Sequence, residues 1–194
     1  MASRKLPQTL TGAEVTALMA RPNVNCPTGL RNRAILELLL GTGLRASEAC
    51  GIYVRDLDWR TGDMRIRSAV AKGGREAMVI LDDETLAWLD RWKRERRAYA
   101  AGKPWMFTTL KGGQLDRRYI WEMVSRYARR AGIERPVWPH QLRHTFATDL
   151  LGEGFTIADV QQLMRHADLR TTAAYLHVRN EDLRVKVRAR RRSA

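Results

Sequence analysis

The segment His140-Gln141-Leu142-Arg143-His144 carries the strongest candidate chemistry in the chain. Residues three and four apart share one face of a helix, so His140, Arg143 and His144 can point the same way. Imidazole and guanidinium groups on one face suit a phosphate, because they donate hydrogen bonds to its oxygens. The spacing His-x-x-x-His also occurs in zinc proteases, but Gln141 replaces the general base of that motif. A pair of partly buried structural histidines is the alternative explanation.

Three further segments hold residues that could act on the same group. Arg45 stands at a turn into a helix, where it could hold an anion, and Glu48 could orient it through an ion pair. Lys72 lies in a glycine-rich turn, where a backbone can approach a ligand closely. His166 ends one predicted helix and Tyr175 lies in the next. Each residue alone has an ordinary structural explanation, and the last two helices also resemble a helix-turn-helix.

The charge of the chain favours a nucleic acid partner. It has 35 Lys and Arg against 21 Asp and Glu, a net charge of +14, and 44% hydrophobic residues. Such a cation attracts polyanions, while the hydrophobic content predicts a folded core. Cys26 and Cys50 form no Cys-x-x-Cys pair, so we expect reduced thiols in a cytoplasmic protein. We expect neither a signal peptide nor a membrane span.

The elements that must position these residues are predicted to be mainly helical. The apolar run Arg31–Leu40 predicts a core helix that ends at Gly41-Thr42-Gly43, before a short helix from Arg45 to Cys50. Alternation and glycine turns predict a small antiparallel sheet of about three strands, over 64–66, 68–71 and 76–81. Further helices are predicted over 82–100, 116–131, 140–151, 156–165, 170–178 and 181–192, with Thr11 capping a helix near the N-terminus.

Six candidate residues stand in the chain in a characteristic order: Arg45, Lys72, His140, Arg143, His166 and Tyr175. This set resembles the tyrosine recombinase family, also called phage integrases. The local sequences over 42–48, 140–148 and 171–175 each resemble motifs of that family, and the resemblance covers nearly the whole chain from Leu6. One position departs from the pattern, because Arg165 stands where family members usually have Gly. The resemblance implies a mainly α catalytic domain with a small antiparallel sheet.

The resemblance also implies a reaction. The Tyr175 hydroxyl would attack a DNA phosphorus, form a 3′-phosphotyrosine and release the 5′ oxygen, with no metal and no cofactor. Arg45 and Arg143 would hold the non-bridging oxygens, where charge increases in the transition state.

The remaining residues receive supporting roles from the same resemblance. Lys72 would protonate the leaving oxygen, His140 would accept a proton near the tyrosine, and His166 would donate a hydrogen bond to the phosphate. Glu48 is expected to orient Arg45 or a histidine without contacting the phosphate itself, and His144 is expected to be structural.

The expected partner is double-stranded DNA, bound in the cytoplasm. Residues 1–194 are expected to form a single catalytic domain without the N-terminal clamp domain that family members usually carry. Leu183, Val185 and Val187 favour a protein contact by part of the C-terminal segment, and the arginine run after them favours DNA phosphate. We expect monomers that associate on DNA. Three alternatives stay open at this point: a type IB topoisomerase, a non-catalytic helix-turn-helix regulator, and a metal-dependent nuclease that uses the histidines.

Overall fold

The computed structural model describes residues 9–71, 74, 76–164 and 187. In this part of the chain helices predominate around one small antiparallel sheet, which confirms the predicted fold class. The helices are α1 (Gly12–Met19), α2 (Pro27–Thr42), α3 (Ala46–Cys50), α4 (Asp83–Glu95), α5 (Arg97–Ala100), α6 (Arg117–Arg130), α7 (Pro139–Gly152) and α8 (Ile157–Leu163). The strands are β1 (Asp63–Ile66) and β2 (Ala77–Ile80), and a 3-10 turn covers Val54–Asp56.

Helix α2 forms the centre of the fold. Pro27 stands in its first turn, where a missing N–H leaves no helical hydrogen bond unmade, and Gly43 ends it with a φ of 60°. Nearly every residue from Gly29 to Thr42 is buried, as expected of a helix that packs on all sides. Helices α1, α3, α4, α6 and α7 all contact it. The predicted core helix is therefore confirmed, and it extends beyond the predicted ends.

Two helices begin with side-chain caps at the positions where the sequence predicts a helix to start. The hydroxyl of Thr11 accepts a hydrogen bond from the backbone N–H of Glu14, and the Glu14 carboxylate accepts one from the Thr11 N–H, which is a capping box. Asp82 accepts the N–H of Thr85 at 2.6 Å and begins α4. The helix predicted to continue to Ala100 instead divides at 96, between α4 and α5.

The sheet has two strands among the described residues, with Asp63 paired to Ile80 and Ile66 to Ala77. The prediction of a further strand over 68–71 is wrong, because these residues form a turn. The N–H groups of Val70 and Ala71 both donate to the Arg67 carbonyl at 3.0 Å, which folds the backbone back.

A second, smaller hydrophobic cluster lies beside the main core. Its buried members are Phe146, Leu150, Phe155, Val160, Met164 and Val187. The last of these belongs to the predicted C-terminal helix, and the structure buries it within the chain's own second cluster. The rest of the two helices predicted over 170–178 and 181–192 lies outside the described residues. Within the described part of the chain, no helix is long and apolar enough to cross a membrane.

Candidate functional site

Arg45 stands immediately before α3, where its geometry is set by Glu48. The Arg45 backbone N–H donates to Oε2 of Glu48 at 2.9 Å, and its Nη1 lies 3.2 Å from Oε1. The Glu48 side chain is buried, whereas that of Arg45 is 23% exposed. One carboxylate therefore fixes both the backbone and the side chain of Arg45 while its guanidinium still reaches the surface. The expected ion pair between these two residues is present.

Arg143 reaches the same region from α7. Its side chain is almost fully buried, and Nη1 donates to the carbonyl of Gly43 while Nη2 donates to that of Met164 at 2.6 Å. These carbonyls belong to the turn after α2 and to the end of α8. The two bonds hold the guanidinium in one plane and join three segments that are far apart in the sequence.

Gly43 makes this junction possible. Its φ is +60°, and a Cβ atom at this position would lie 2.6 Å from Cδ1 of Phe146 and 3.0 Å from Sδ of Met164. Only glycine tolerates both the left-handed backbone and the close approach. The loop that leads to Arg45 can therefore lie directly against α7 and α8.

His140 and His144 share a face of α7, as their spacing predicts. Their ring centroids are 5.4 Å apart and nearly perpendicular. His140 is exposed and His144 is half-buried. The intervening Gln141 accepts the backbone N–H of Trp138 at 2.9 Å, so its amide acts as a cap for the start of α7.

Two adjoining cavities bring the predicted residues together. Arg45, His140 and Arg143 line both of them, one of about 160 Å³ and the other of about 280 Å³. We name the pair of cavities the arginine cleft. Two guanidinium groups and an imidazole around one opening can bind a phosphate by several charge-assisted hydrogen bonds. Over the residues that the structure describes, no group of three His, Cys, Asp or Glu side chains is placed to hold a metal ion.

Three predicted site residues, Lys72, His166 and Tyr175, lie outside the described residues. The segment that leads to Lys72 is described as far as Ala71, and it is firmly attached. Nε of Arg67 donates to Oδ2 of Asp56 at 2.9 Å, and its guanidinium lies 3.2 Å from the centre of the Tyr53 ring.

The sequence prediction missed two residues of α6 that line the smaller cavity, Arg117 and Trp121. They are four residues apart and so share a helix face. That spacing was visible in the sequence, but the face of α6 that turns toward α7 was not.

The chain is similar to known proteins both in sequence and in fold. Residues 8–182 match the phage integrase family. The tyrosine recombinase XerD of Ralstonia nicotianae is 40% identical over 183 residues, which cover 93% of this chain and 59% of that protein. XerD of Pseudomonas aeruginosa is 39% identical over 178 residues, which cover 90% of this chain and 59% of that protein. The chain therefore spans about three fifths of the length of the curated relatives it matches.

Solved structures share the fold. The crystal structure of XerA recombinase superposes with a TM-score of 0.77 at 28% identity, and covers 98% of this chain and 67% of that one. The XerH site-specific recombinase bound to difH substrate in a pre-cleavage complex superposes with a TM-score of 0.73 at 28% identity. The match covers 92% of this chain and 52% of that one. With the family matched over nearly its whole length, this chain belongs to the phage integrase family.

Proposed function

We propose that the chain is the catalytic domain of a site-specific DNA recombinase, which cleaves and rejoins DNA through a 3′-phosphotyrosine on Tyr175. The observation that carries the proposal is the arginine cleft, in which Arg45 and Arg143 converge beside His140. Family membership and the XerH complex with its DNA substrate support the same reaction. The chain's net charge of +14 suits a duplex DNA partner.

The two arginines provide the electrostatic part of the reaction. When a tyrosine oxygen attacks phosphorus, negative charge grows on the non-bridging oxygens. Arg45 and Arg143 donate hydrogen bonds to those oxygens from positions already fixed by Glu48 and by two backbone carbonyls. Because the donors are oriented before the substrate arrives, little reorganisation is needed in the transition state.

The protons have proposed carriers. His140 accepts the proton of the Tyr175 hydroxyl, and Lys72 gives a proton to the 5′ oxygen as its bond to phosphorus breaks. His166 donates a hydrogen bond to the phosphate. The phosphotyrosine conserves the energy of the phosphodiester bond, so attack by a 5′-hydroxyl rejoins the strands without ATP.

Assembly on DNA is a further part of the proposal. We propose that the chain acts in the cytoplasm, at DNA, and that copies associate on the duplex through their C-terminal segments. Part of that segment already has an apolar contact, since Val187 is buried in the second cluster. Light scattering with and without duplex DNA measures the oligomeric state off and on DNA, for the full chain and for one ending at Asn180.

The nucleophile is tested by trapping the covalent intermediate. A pool of nicked duplexes with randomised sequence loses its short 5′-hydroxyl fragment after cleavage, so any phosphotyrosine adduct accumulates. In EDTA, wild-type protein is expected to form an adduct that survives denaturation, and the Tyr175→Phe variant to form none while still binding DNA. An adduct in the Phe variant, or dependence on added metal, would overturn the proposal. Sequencing the trapped DNA also yields the target site.

The general acid is tested on that site with a sulfur leaving group. A 5′-thiolate leaves without protonation, so Lys72→Ala should slow cleavage of the ordinary phosphodiester much more than that of the sulfur analogue. Equal slowing of both substrates removes Lys72 from this role.

A further inference from the structure

An exposed aromatic pair adjoins the arginine cleft. Trp121 of α6 and Trp138, the residue before α7, have ring centroids 5.4 Å apart with the planes tilted by 31°. Their exposed fractions are 42% and 37%, although both rings could be buried at a favourable free energy. Large aromatic surfaces that stay in water and lie beside a cleft are typical of binding surfaces.

Trp121 lines the smaller cavity together with the two site arginines. Arg117, one helical turn earlier on α6, lines it as well, and no Asp or Glu does. Within the described part of the chain Arg117 takes part in no ion pair, whereas its neighbour Arg118 is paired with Glu122 at 2.7 Å. The cavity therefore holds a third cation in addition to the two that suit one phosphate.

We propose that Trp121, braced by Trp138, packs on the sugar of the nucleotide beside the scissile phosphate, and that Arg117 binds the next phosphate of that strand. This inference rests on the proposed function, because Arg45 and Arg143 define where the scissile phosphate lies. Along a DNA strand an apolar sugar separates successive phosphates. The lining of the cavity holds groups of both kinds, since an aromatic ring and a third arginine accompany the two site arginines.

The two contacts leave different signatures in DNA binding. A phosphate contact releases counterions, so its loss lowers the dependence of affinity on salt. A ring that packs on a sugar carries no charge, so its loss lowers the affinity without changing that dependence. Backbone contacts are independent of sequence, so a labelled mixed-sequence duplex is a sufficient probe.

The test measures the affinity of the full chain for this duplex over a range of salt concentrations. Trp121→Ala should bind about tenfold more weakly with an unchanged salt slope, and Trp121→Phe should keep most of the affinity. Arg117→Ala should lower the slope by about one. Arg118→Ala is the matched control, since its side chain is ion-paired and absent from the cavity wall, and it should leave both quantities near wild type.

Wild-type binding by Trp121→Ala, or equal effects of Arg117→Ala and Arg118→Ala, would overturn the inference. The melting temperature of each variant should match that of wild type, because the substituted side chains are exposed. The inference would also fail if Trp121→Ala melted at a lower temperature and bound DNA as well as wild type when equal amounts of folded protein were compared. The adduct assay separates this inference from the proposed function. Absence of any Tyr175 adduct, with these binding effects intact, would refute the reaction but not the surface.

Discussion

In the part of the chain that the structure describes, the two hydrophobic clusters differ in size and in the residues they position. The first surrounds α2 and includes buried residues from α1, α3, α4, α6, α7 and the sheet. It supports Arg45 and Glu48 at the start of α3. Over the described residues the second holds six buried side chains, and one of these residues, Met164, provides a carbonyl that accepts a hydrogen bond from Arg143. Arg143 thus bonds to the ends of segments from both clusters, whereas Arg45 is held by Glu48 of α3, a helix whose apolar residues belong to the first.

This difference in size predicts that the two sides of the cleft differ in their free energy of local opening. A large core resists local opening, while a small cluster opens at lower free energy. The first region can therefore hold one arginine and its carboxylate in a fixed geometry. We expect the second region, which continues in sequence toward Tyr175, to open at a lower free energy than the first.

The largest expected effect comes from making the same cavity in each cluster. Phe107 is fully buried in the first and Phe146 is 4% exposed in the second. Phe-to-Ala substitutions cost about 3–5 kcal/mol of the free energy of unfolding, depending on how far the site can collapse. We expect Phe107→Ala near the upper end of this range and Phe146→Ala near the lower end, measured by denaturant unfolding. Equal losses would contradict the comparison.

A smaller effect is expected at the junction between the clusters. Gly43→Ala places a Cβ atom 2.6 Å from the Phe146 ring at a φ of +60°, so it should lose about 1–3 kcal/mol and slow adduct formation. Gly102→Ala is the control, because Gly102 has a φ of +72° but no atom within 4 Å of the added Cβ. If both variants lose the same stability and neither slows the adduct, the close approach at Gly43 is unimportant.

The smallest effect concerns a contact at the edge of the first cluster, between α1 and the connection before α7. The Arg135 guanidinium lowers the pKa of Glu14 to about 2 from 4.5 by hydrogen bonding. Because the folded pKa is lowered, this contribution is fully present above pH 4.5 and is lost as the pH falls toward 2. The loss should be small, since the pair is partly exposed. Glu14→Gln should remove this part of the pH dependence in urea unfolding curves, and an unchanged dependence would contradict it.

The parts of the fold that the sequence predicted depend on neighbours close in the chain. The end of α2 at Gly43 and the caps at Thr11 and Asp82 follow from residues within a few positions of each other. The turn at 68–71 was not predictable, because it depends on a contact between Val70 and Gly51, which are distant in the sequence. The contact is so close that a Cβ atom added to Gly51 would lie 2.2 Å from Cγ1 of Val70.

The same limit applies to the site. Residue types and order predicted that Arg45, His140 and Arg143 belong together, and the structure places all three around one cleft. The hydrogen bond from Arg143 to the Gly43 carbonyl joins positions 100 residues apart, and no local pattern indicates it. The roles proposed for Lys72, His166 and Tyr175 remain predictions from the sequence.

The central claim is that two arginines neutralise the scissile phosphate, and one measurement tests it directly. On the trapped target site, Arg45→Ala and Arg143→Ala should each slow adduct formation by roughly a hundredfold or more. A methylphosphonate at the scissile position replaces one charged oxygen by a methyl group, so an arginine that only neutralises charge is no longer needed. The account predicts that the loss shrinks strongly on this substrate for at least one of the two variants. Equal losses on the phosphodiester and the methylphosphonate for both variants would contradict it, and would show that these arginines act through the structure alone.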